Sequence, residues 1–195
     1  MSNSKHVHRK RNAPPLRRAA WGKRQLAPNS PANGSEDPLG GLPTLEEFKA
    51  FFSILRGKTT PVTPIVAQPL SPTDRYIALT FAPTDGGLGG VIVMDLSVAA
   101  ILGGRIRRLR TGEIKDCVEA QVLNEEMMKA LRYVGRRLND MVSSTRGPRL
   151  YFKDLTGPFS RLPDDLEKYA ELSTRRLQLS LDFGPFGTGC VRIML

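Results

Sequence analysis

Histidine is scarce in this chain of 195 residues. Its two histidines, His6 and His8, lie close to the N-terminus, so a domain formed by the rest of the chain has no imidazole for zinc or for a Ser-His or Cys-His pair. The sequence also lacks a G-x-S-x-G motif and the glycine spacing of a phosphate-binding loop. These absences give little support to a hydrolase or a kinase, and they predict neither a bound metal nor a cofactor.

Cysteine and long apolar runs are scarce as well. Cys117 and Cys190 lie in apolar surroundings without a C-x-x-C motif, which predicts two buried thiols in a reducing compartment; a disulfide between them is the alternative. No apolar run approaches the roughly 20 residues of a membrane span. The basic N-terminus is not followed by the apolar segment of a secretory signal. Together these features predict an intracellular protein, cytoplasmic or, if it is viral, part of a virion.

Positive charge is abundant, with a formal net charge of +10, and most of it precedes residue 39. Residues 1–43 are rich in Ser, Asn, Pro and Gly, so they cannot bury enough apolar surface to offset the entropy of ordering them. The sequence therefore predicts a disordered basic arm over residues 1–43 and a single domain over residues 44–195. The cations of the arm, with Trp21 available for base stacking, are Lys5, Arg9, Lys10, Arg11, Arg17, Arg18, Lys23 and Arg24.

The arm supports two interpretations. It is either a solubilising tail or a segment that binds nucleic acid, as RNA or single-stranded DNA, or the headgroups of a peripheral anionic membrane. A second basic run, formed by Arg105, Arg107, Arg108 and Arg110, is either a further nucleic-acid-binding element or a charged strand edge that discourages aggregation. The main functional hypothesis is a non-enzymatic structural or assembly protein, viral coat- or nucleoprotein-like in layout. It would form a homo-oligomer and bind nucleic acid or another polyanion through the arm.

Helical patterns occur in four places. Residues 111–141 contain no proline and place apolar residues at spacings of three and four, which predicts one long amphipathic helix. Shorter helices are predicted over residues 44–56, which begin with a capping box, and over residues 164–172. Residues 97–102 predict a short helix ended by a glycine pair.

Strand-like segments surround these helices, and a glycine-rich hairpin loop is predicted between the first two. The overall prediction is an α+β fold in which a mostly antiparallel sheet packs on one long central helix, preceded by the disordered basic arm. The predicted strands are residues 76–81, 91–96, 149–153, 177–183 and 190–195.

The order of these elements resembles a known family. VMDLSVAAILGG (residues 93–104), the long helix after it and LSLDFGPFGTGCVRIML (residues 179–195) are similar to the CheC/CheX chemotaxis phosphatases and the middle domain of the flagellar switch protein FliM. The resemblance covers residues 62–195. It implies a hairpin before a short helix that ends in glycines, then a long helix and a closing hairpin. It also implies an alternative function, a domain that interacts with a response regulator and is either an aspartyl-phosphate phosphatase or a non-catalytic relative.

The resemblance also carries two candidate catalytic residues. Family phosphatases have Glu-x-x-Asn on the long helix, where the Asn helps to place the water that attacks the aspartyl phosphate. The matching positions here are Gln121 and Asn124, and glutamine in place of glutamate indicates a non-catalytic relative. Helical spacing places Asn124 near the centre of the apolar stripe, which predicts a buried asparagine in the core or at a dimer interface rather than a catalyst.

Overall fold

A computed structural model describes residues 42–56, 59–66, 75–143 and 149–195. The basic arm lies outside these ranges except for Leu42 and Pro43, and Leu42 packs in the hydrophobic core. The helices are α1 Leu45–Arg56, α2 Leu96–Ile106, α3 Thr111–Glu119, α4 Glu125–Val142 and α5 Asp164–Leu172. The strands are β1 Val62–Pro64, β2 Tyr76–Ala82, β3 Gly90–Asp95, β4 Tyr151–Phe159, β5 Arg176–Asp182 and β6 Thr188–Met194.

The strands form one six-stranded sheet in the order β1-β5-β6-β3-β2-β4, and every pair is antiparallel. The predicted α+β class with an antiparallel sheet is therefore confirmed. The central strands carry apolar residues on both faces of the sheet. Successive side chains of a strand point to opposite sides, so neighbouring residues of one strand pack in different clusters. Ile77 and Leu79 of β2 lie in the large core with α1, α2 and α4, whereas Ala78 packs with Leu166 of α5 in a smaller cluster.

The helix at the centre of the large core is α2. Its residues Leu96 and Val98–Gly104 are all buried, and it contacts α1, α3, α4 and the sheet. The prediction that this helix ends at the glycine pair was wrong. Gly103 and Gly104 lie inside the helix, where the absence of a side chain lets the chain of α4 and Ile114 of α3 approach closely.

The prediction of one long helix over residues 111–141 was also wrong, because the segment forms two helices, α3 and α4. Gln121 adopts a left-handed conformation with φ 52°, and this ends α3. Its N–H donates to the Val118 carbonyl at 3.2 Å, and the Val122 N–H donates to the Cys117 carbonyl at 3.1 Å. This pair of bonds is the Schellman arrangement that closes helices, usually around a glycine.

Asn124 begins the next helix rather than lying on its apolar stripe. The Asn124 side chain is exposed, and its Oδ1 accepts a hydrogen bond from the Met127 N–H at 2.8 Å. The prediction of a buried core asparagine was therefore wrong, since it assumed a helix that continues through residue 124. The stripe itself, formed by Met127, Leu131, Val134 and Leu138, is buried against α2 and the sheet as predicted.

Within the described ranges, no helix combines the length and apolar character that a membrane crossing requires.

Candidate functional site

The four arginines of residues 105–110 do not form a strand edge, because they lie at the end of α2 and in the turn to α3. The Arg105 guanidinium lies over the Phe186 ring, 5.0 Å from its centroid. Arg107 pairs with Glu126 on α4, and Arg110 lies directly before α3, where its backbone N–H donates to Glu113. Arg105 and Arg108 line one groove, whereas Arg107 and Arg110 do not. The basic run is thus not one continuous surface, because only Arg105 and Arg108 line the groove.

The groove lies between α1, the end of α2 and α4, and has a volume of about 650 Å³. Three arginines line it, one from each of α2, the turn after it and α4: Arg105, Arg108 and Arg137. The remaining lining residues are apolar or aromatic: Ile54, Leu55, Ile106, Leu109 and Tyr133. An apolar surface edged by guanidinium groups is suited to a ligand that is itself apolar and anionic.

Sequence patterns missed three residues of this groove. Ile54 on α1 is 72% exposed and Tyr133 on α4 is 50% exposed, and Arg137 lies one helical turn after Tyr133. A signal for Ile54 was available, because it falls outside the apolar face of α1 formed by Phe48, Phe51, Phe52 and Leu55. A single exposed apolar side chain is ordinary, and Ile54 becomes a candidate contact because the fold places it in one groove with Tyr133 and Leu55.

The turn after α2 is closed by the same arrangement as the turn after α3, with Arg108 in the left-handed position at φ 57°. The Leu109 N–H donates to the Gly104 carbonyl at 2.9 Å, and the Arg108 N–H donates to the Arg105 carbonyl at 3.1 Å. Glycine is the usual residue at this position, because a Cβ is strained there. Both α2 and α3 therefore end on a residue whose left-handed conformation costs more free energy than that of glycine.

Arg108→Gly is expected to raise the free energy of unfolding by about 1 kcal/mol, because it removes the strain of a left-handed side chain. Gln121→Gly is expected to leave the stability nearly unchanged, since it also removes the hydrogen bond of 2.8 Å from Gln121 Nε2 to the Val118 carbonyl. Urea unfolding followed by circular dichroism measures both changes. A loss of stability in Arg108→Gly would show that its guanidinium stabilises the fold.

The pair Gln121 and Asn124 lies on the loop between α3 and α4, not on one helix. Both side chains are engaged locally: the Gln121 amide donates to Val118, and Asn124 caps α4. The Gln121 carbonyl faces Arg75, whose Nη1 lies 3.4 Å away. Nearby, a hydrogen bond from Lys129, together with the charges of Arg107 and Lys129, holds the pKa of Glu126 below its usual value. Glu126 is therefore charged at neutral pH and keeps Arg107 beside α4.

Neither cysteine is poised as a nucleophile. Both are free thiols. Burial, and then the charges of Asp116 and Glu113, raise the pKa of Cys117, and burial is also the main cause that raises the pKa of Cys190. Asp95 is held by two backbone groups, since Oδ1 accepts from the Val98 N–H at 2.7 Å and Oδ2 from the Cys190 N–H at 2.6 Å. In the described part of the chain, no three potential metal ligands cluster.

The fold has counterparts among solved structures. A FliM–SpeE complex from H. pylori matches with a TM-score of 0.53 and 9% identity, over 76% of this chain and 80% of that one. FliY from Thermotoga maritima matches with a TM-score of 0.45 and 14% identity, over 75% and 81%. A CheX–CheY–BeF3–Mg complex from Borrelia burgdorferi gives 0.47 and 14%, over 75% and 93%.

No family model matches the sequence, and no curated protein matches it. The predicted resemblance to the CheC/CheX and FliM superfamily is nevertheless confirmed at the level of the fold. In particular, the counterpart with the TM-score of 0.53 is a FliM structure. At 9% identity the likeness concerns the fold.

The main functional hypothesis, a viral coat- or nucleoprotein-like protein that binds RNA or another polyanion, was wrong. The solved structure that matches with a TM-score of 0.53 is the flagellar switch protein FliM in a complex with another protein, SpeE. The hypothesis relied on net charge, which describes the solvent-facing surface and does not specify a fold. Without the viral hypothesis, the predicted location in a virion has no support. Residues Lys5 to Arg24 lie outside the described ranges, and the homo-oligomer stays a prediction.

Proposed function

We propose that this chain is a protein-docking domain of a chemotaxis or flagellar switch assembly, and that it binds a response regulator without hydrolysing its aspartyl phosphate. The fold supports the docking role, since its FliM counterpart is in a complex with another protein, SpeE. We also propose that residues 44–195 act as one domain. The pairing of β1 with β5 and the burial of Phe48 and Phe52 of α1 in the large core support this.

The observation that supports the non-catalytic role is the break between α3 and α4. In the family phosphatases that the sequence resembles, the acid and the Asn share one helix, so both face the same phosphate. Here the left-handed Gln121 ends one helix and Asn124 caps the next. Gln121 also lacks the carboxylate of the family motif. A capping oxygen that is already bonded to Met127 is poorly placed to orient a water molecule.

The test is the loss of phosphate from a phosphorylated CheY-type response regulator, with Asn124→Asp as the matched variant. Asn124→Asp keeps an oxygen that can cap α4 and removes the amide group, so the fold is preserved. We expect the wild type to bind the regulator, and neither protein to change the rate of phosphate loss.

Two outcomes would contradict the proposal. Faster phosphate loss with the wild type that disappears in Asn124→Asp would identify a phosphatase. Failure of the wild type to bind the regulator, either free or as its BeF3 complex that mimics the phosphate, would remove the docking role.

A further inference from the structure

The groove between α1, the end of α2 and α4 exposes apolar surface that the described fold leaves uncovered. Ile54 and Tyr133 lie on different helices and are 72% and 50% exposed. Leu55, Ile106 and Leu109 form part of the lining and are half-buried. A groove formed by two helices and a turn, with apolar residues along it, fits an amphipathic helix whose anchors recur at spacings of three and four.

The charge of the groove restricts the occupant. Among its described lining residues the charged ones are Arg105, Arg108 and Arg137, and none is acidic. Guanidinium groups bind carboxylates through paired hydrogen bonds, so aspartate and glutamate side chains are the matching groups. The chain's own N-terminal segment does not fit, because residues 1–38 contain eight lysines and arginines but only two acidic residues.

Arg108 supplies a second, independent indication. It keeps a side chain at a left-handed position where glycine would be less strained. At the equivalent position after α3, the Gln121 side chain gains a hydrogen bond to Val118. The Arg108 side chain is exposed, and its only charged neighbours in the described lining are the other two arginines of the groove. Among the described residues, no hydrogen bond or ion pair of the Arg108 side chain offsets this strain, and such backbone strain is typical of functional positions.

We propose that this groove binds an acidic amphipathic helix of a partner protein. Apolar side chains of that helix cover Ile54 and Tyr133, and its carboxylates pair with Arg105, Arg108 and Arg137. The inference rests on the proposed docking function and names the chemistry of the docked segment.

The probe is a labelled synthetic helix of about 18 residues, with leucines at spacings of three and four and glutamates at the flanking positions. Fluorescence anisotropy with the full chain measures its binding. We expect Arg108→Gly to weaken binding by about tenfold, the usual effect of losing one charge-assisted hydrogen bond. Ile54→Ser should weaken binding severalfold, because it removes an apolar contact of the groove. Since Ile54 is exposed, this change does not disturb the core.

The matched control is Gln121→Gly, which makes the same kind of change at the equivalent helix end outside the groove and should bind as the wild type does. Arg136→Gln is the charge control, since Arg136 is exposed on α4 next to Arg137 but does not line the groove. Binding to the N-terminal arm would be equal in all variants, so only the difference between Arg108→Gly and the controls counts as support.

Two results would overturn the inference: equal binding by Arg108→Gly and the wild type, or equal binding of a scrambled peptide of the same composition. The response regulator separates this inference from the proposed function. If the wild type and Arg108→Gly bind the peptide equally and also bind the regulator equally, the groove is contradicted and the docking role stands. A peptide that binds through Arg108, together with no binding of the regulator, would contradict the proposed function and leave the groove.

Discussion

Gly103→Ala is expected to lower the free energy of unfolding by about 2 kcal/mol, although alanine is the better helix former. A Cβ at residue 103 would lie 2.9 Å from the Met127 Cβ and 3.0 Å from its Cα and carbonyl oxygen. These are atoms on or next to the backbone of α4, so they cannot turn away as the end of a flexible side chain would. Separating two packed helices costs up to about 3 kcal/mol. The better helix propensity of alanine offsets about 1 kcal/mol of this cost.

Gly112→Ala is the matched control, since Gly112 is an exposed residue of α3 and an added Cβ would have no described atom within 4 Å beyond its own stretch of helix. Its substitution should stabilise the protein by about 0.5 kcal/mol. Urea unfolding of both variants gives the two changes in free energy. A Gly103→Ala variant at least as stable as the wild type would show that α2 and α4 can move apart at little cost, contrary to the close approach of Gly103 and Met127.

Most strands could be predicted from the sequence because their signals are local. The apolar runs of β2 and β3 and the alternation in β5 mark buried segments, and glycines and prolines separate them. The predictions for β2, β3, β5 and β6 agree with the structure to within about two residues. β4 was predicted too short, because Gly157 and Pro158 suggested an irregular segment. Pro158 is tolerated there since β4 lies at the edge of the sheet.

The break between α3 and α4 could not be predicted, because residues 120–124 contain neither glycine nor proline. The helix ends on a left-handed Gln121, a conformation that its residue type does not signal, whereas local propensity favours continuation. The error then placed Asn124 on the wrong surface. The glycine pair in α2 was misinterpreted for the opposite reason, since glycines inside a helix that serve close packing have the same sequence signal as a helix end.

The groove could not be predicted, because its residues come from segments that are up to about 80 positions apart in the chain. The sequence did identify Arg105 and Arg108, but as part of a continuous basic run. Their separation from Arg107 depends on the pairing of Arg107 with Glu126, which only the fold brings together. Positive charge alone indicated a nucleic acid, whereas the fold also places apolar residues beside the arginines, and these support the protein partner that we propose.

Asp95→Ala is expected to lower the free energy of unfolding by about 3 kcal/mol, because one carboxylate joins two elements distant in sequence. Oδ1 caps α2 through the Val98 N–H, and the loss of such a cap costs about 1 kcal/mol. Oδ2 accepts from the Cys190 N–H of β6, and a half-buried N–H without a partner costs about 2 kcal/mol more. The carboxylate thereby joins the start of α2 to β6.

Asn124→Ala is the control that measures the loss of a helix cap alone, and the comparison with Asp95→Ala gives the second contribution. Asn124 caps α4 through the same relationship, to the N–H three residues on, but it is exposed and its described hydrogen bond stays within its own helix end. Its substitution should cost about 1 kcal/mol. The difference between the two variants, about 2 kcal/mol in urea unfolding, then measures what the Asp95 carboxylate contributes beyond its helix cap, including the bond with Cys190. Equal losses would mean that Asp95 acts as a helix cap alone, and that the closing hairpin is held against α2 by its apolar contacts.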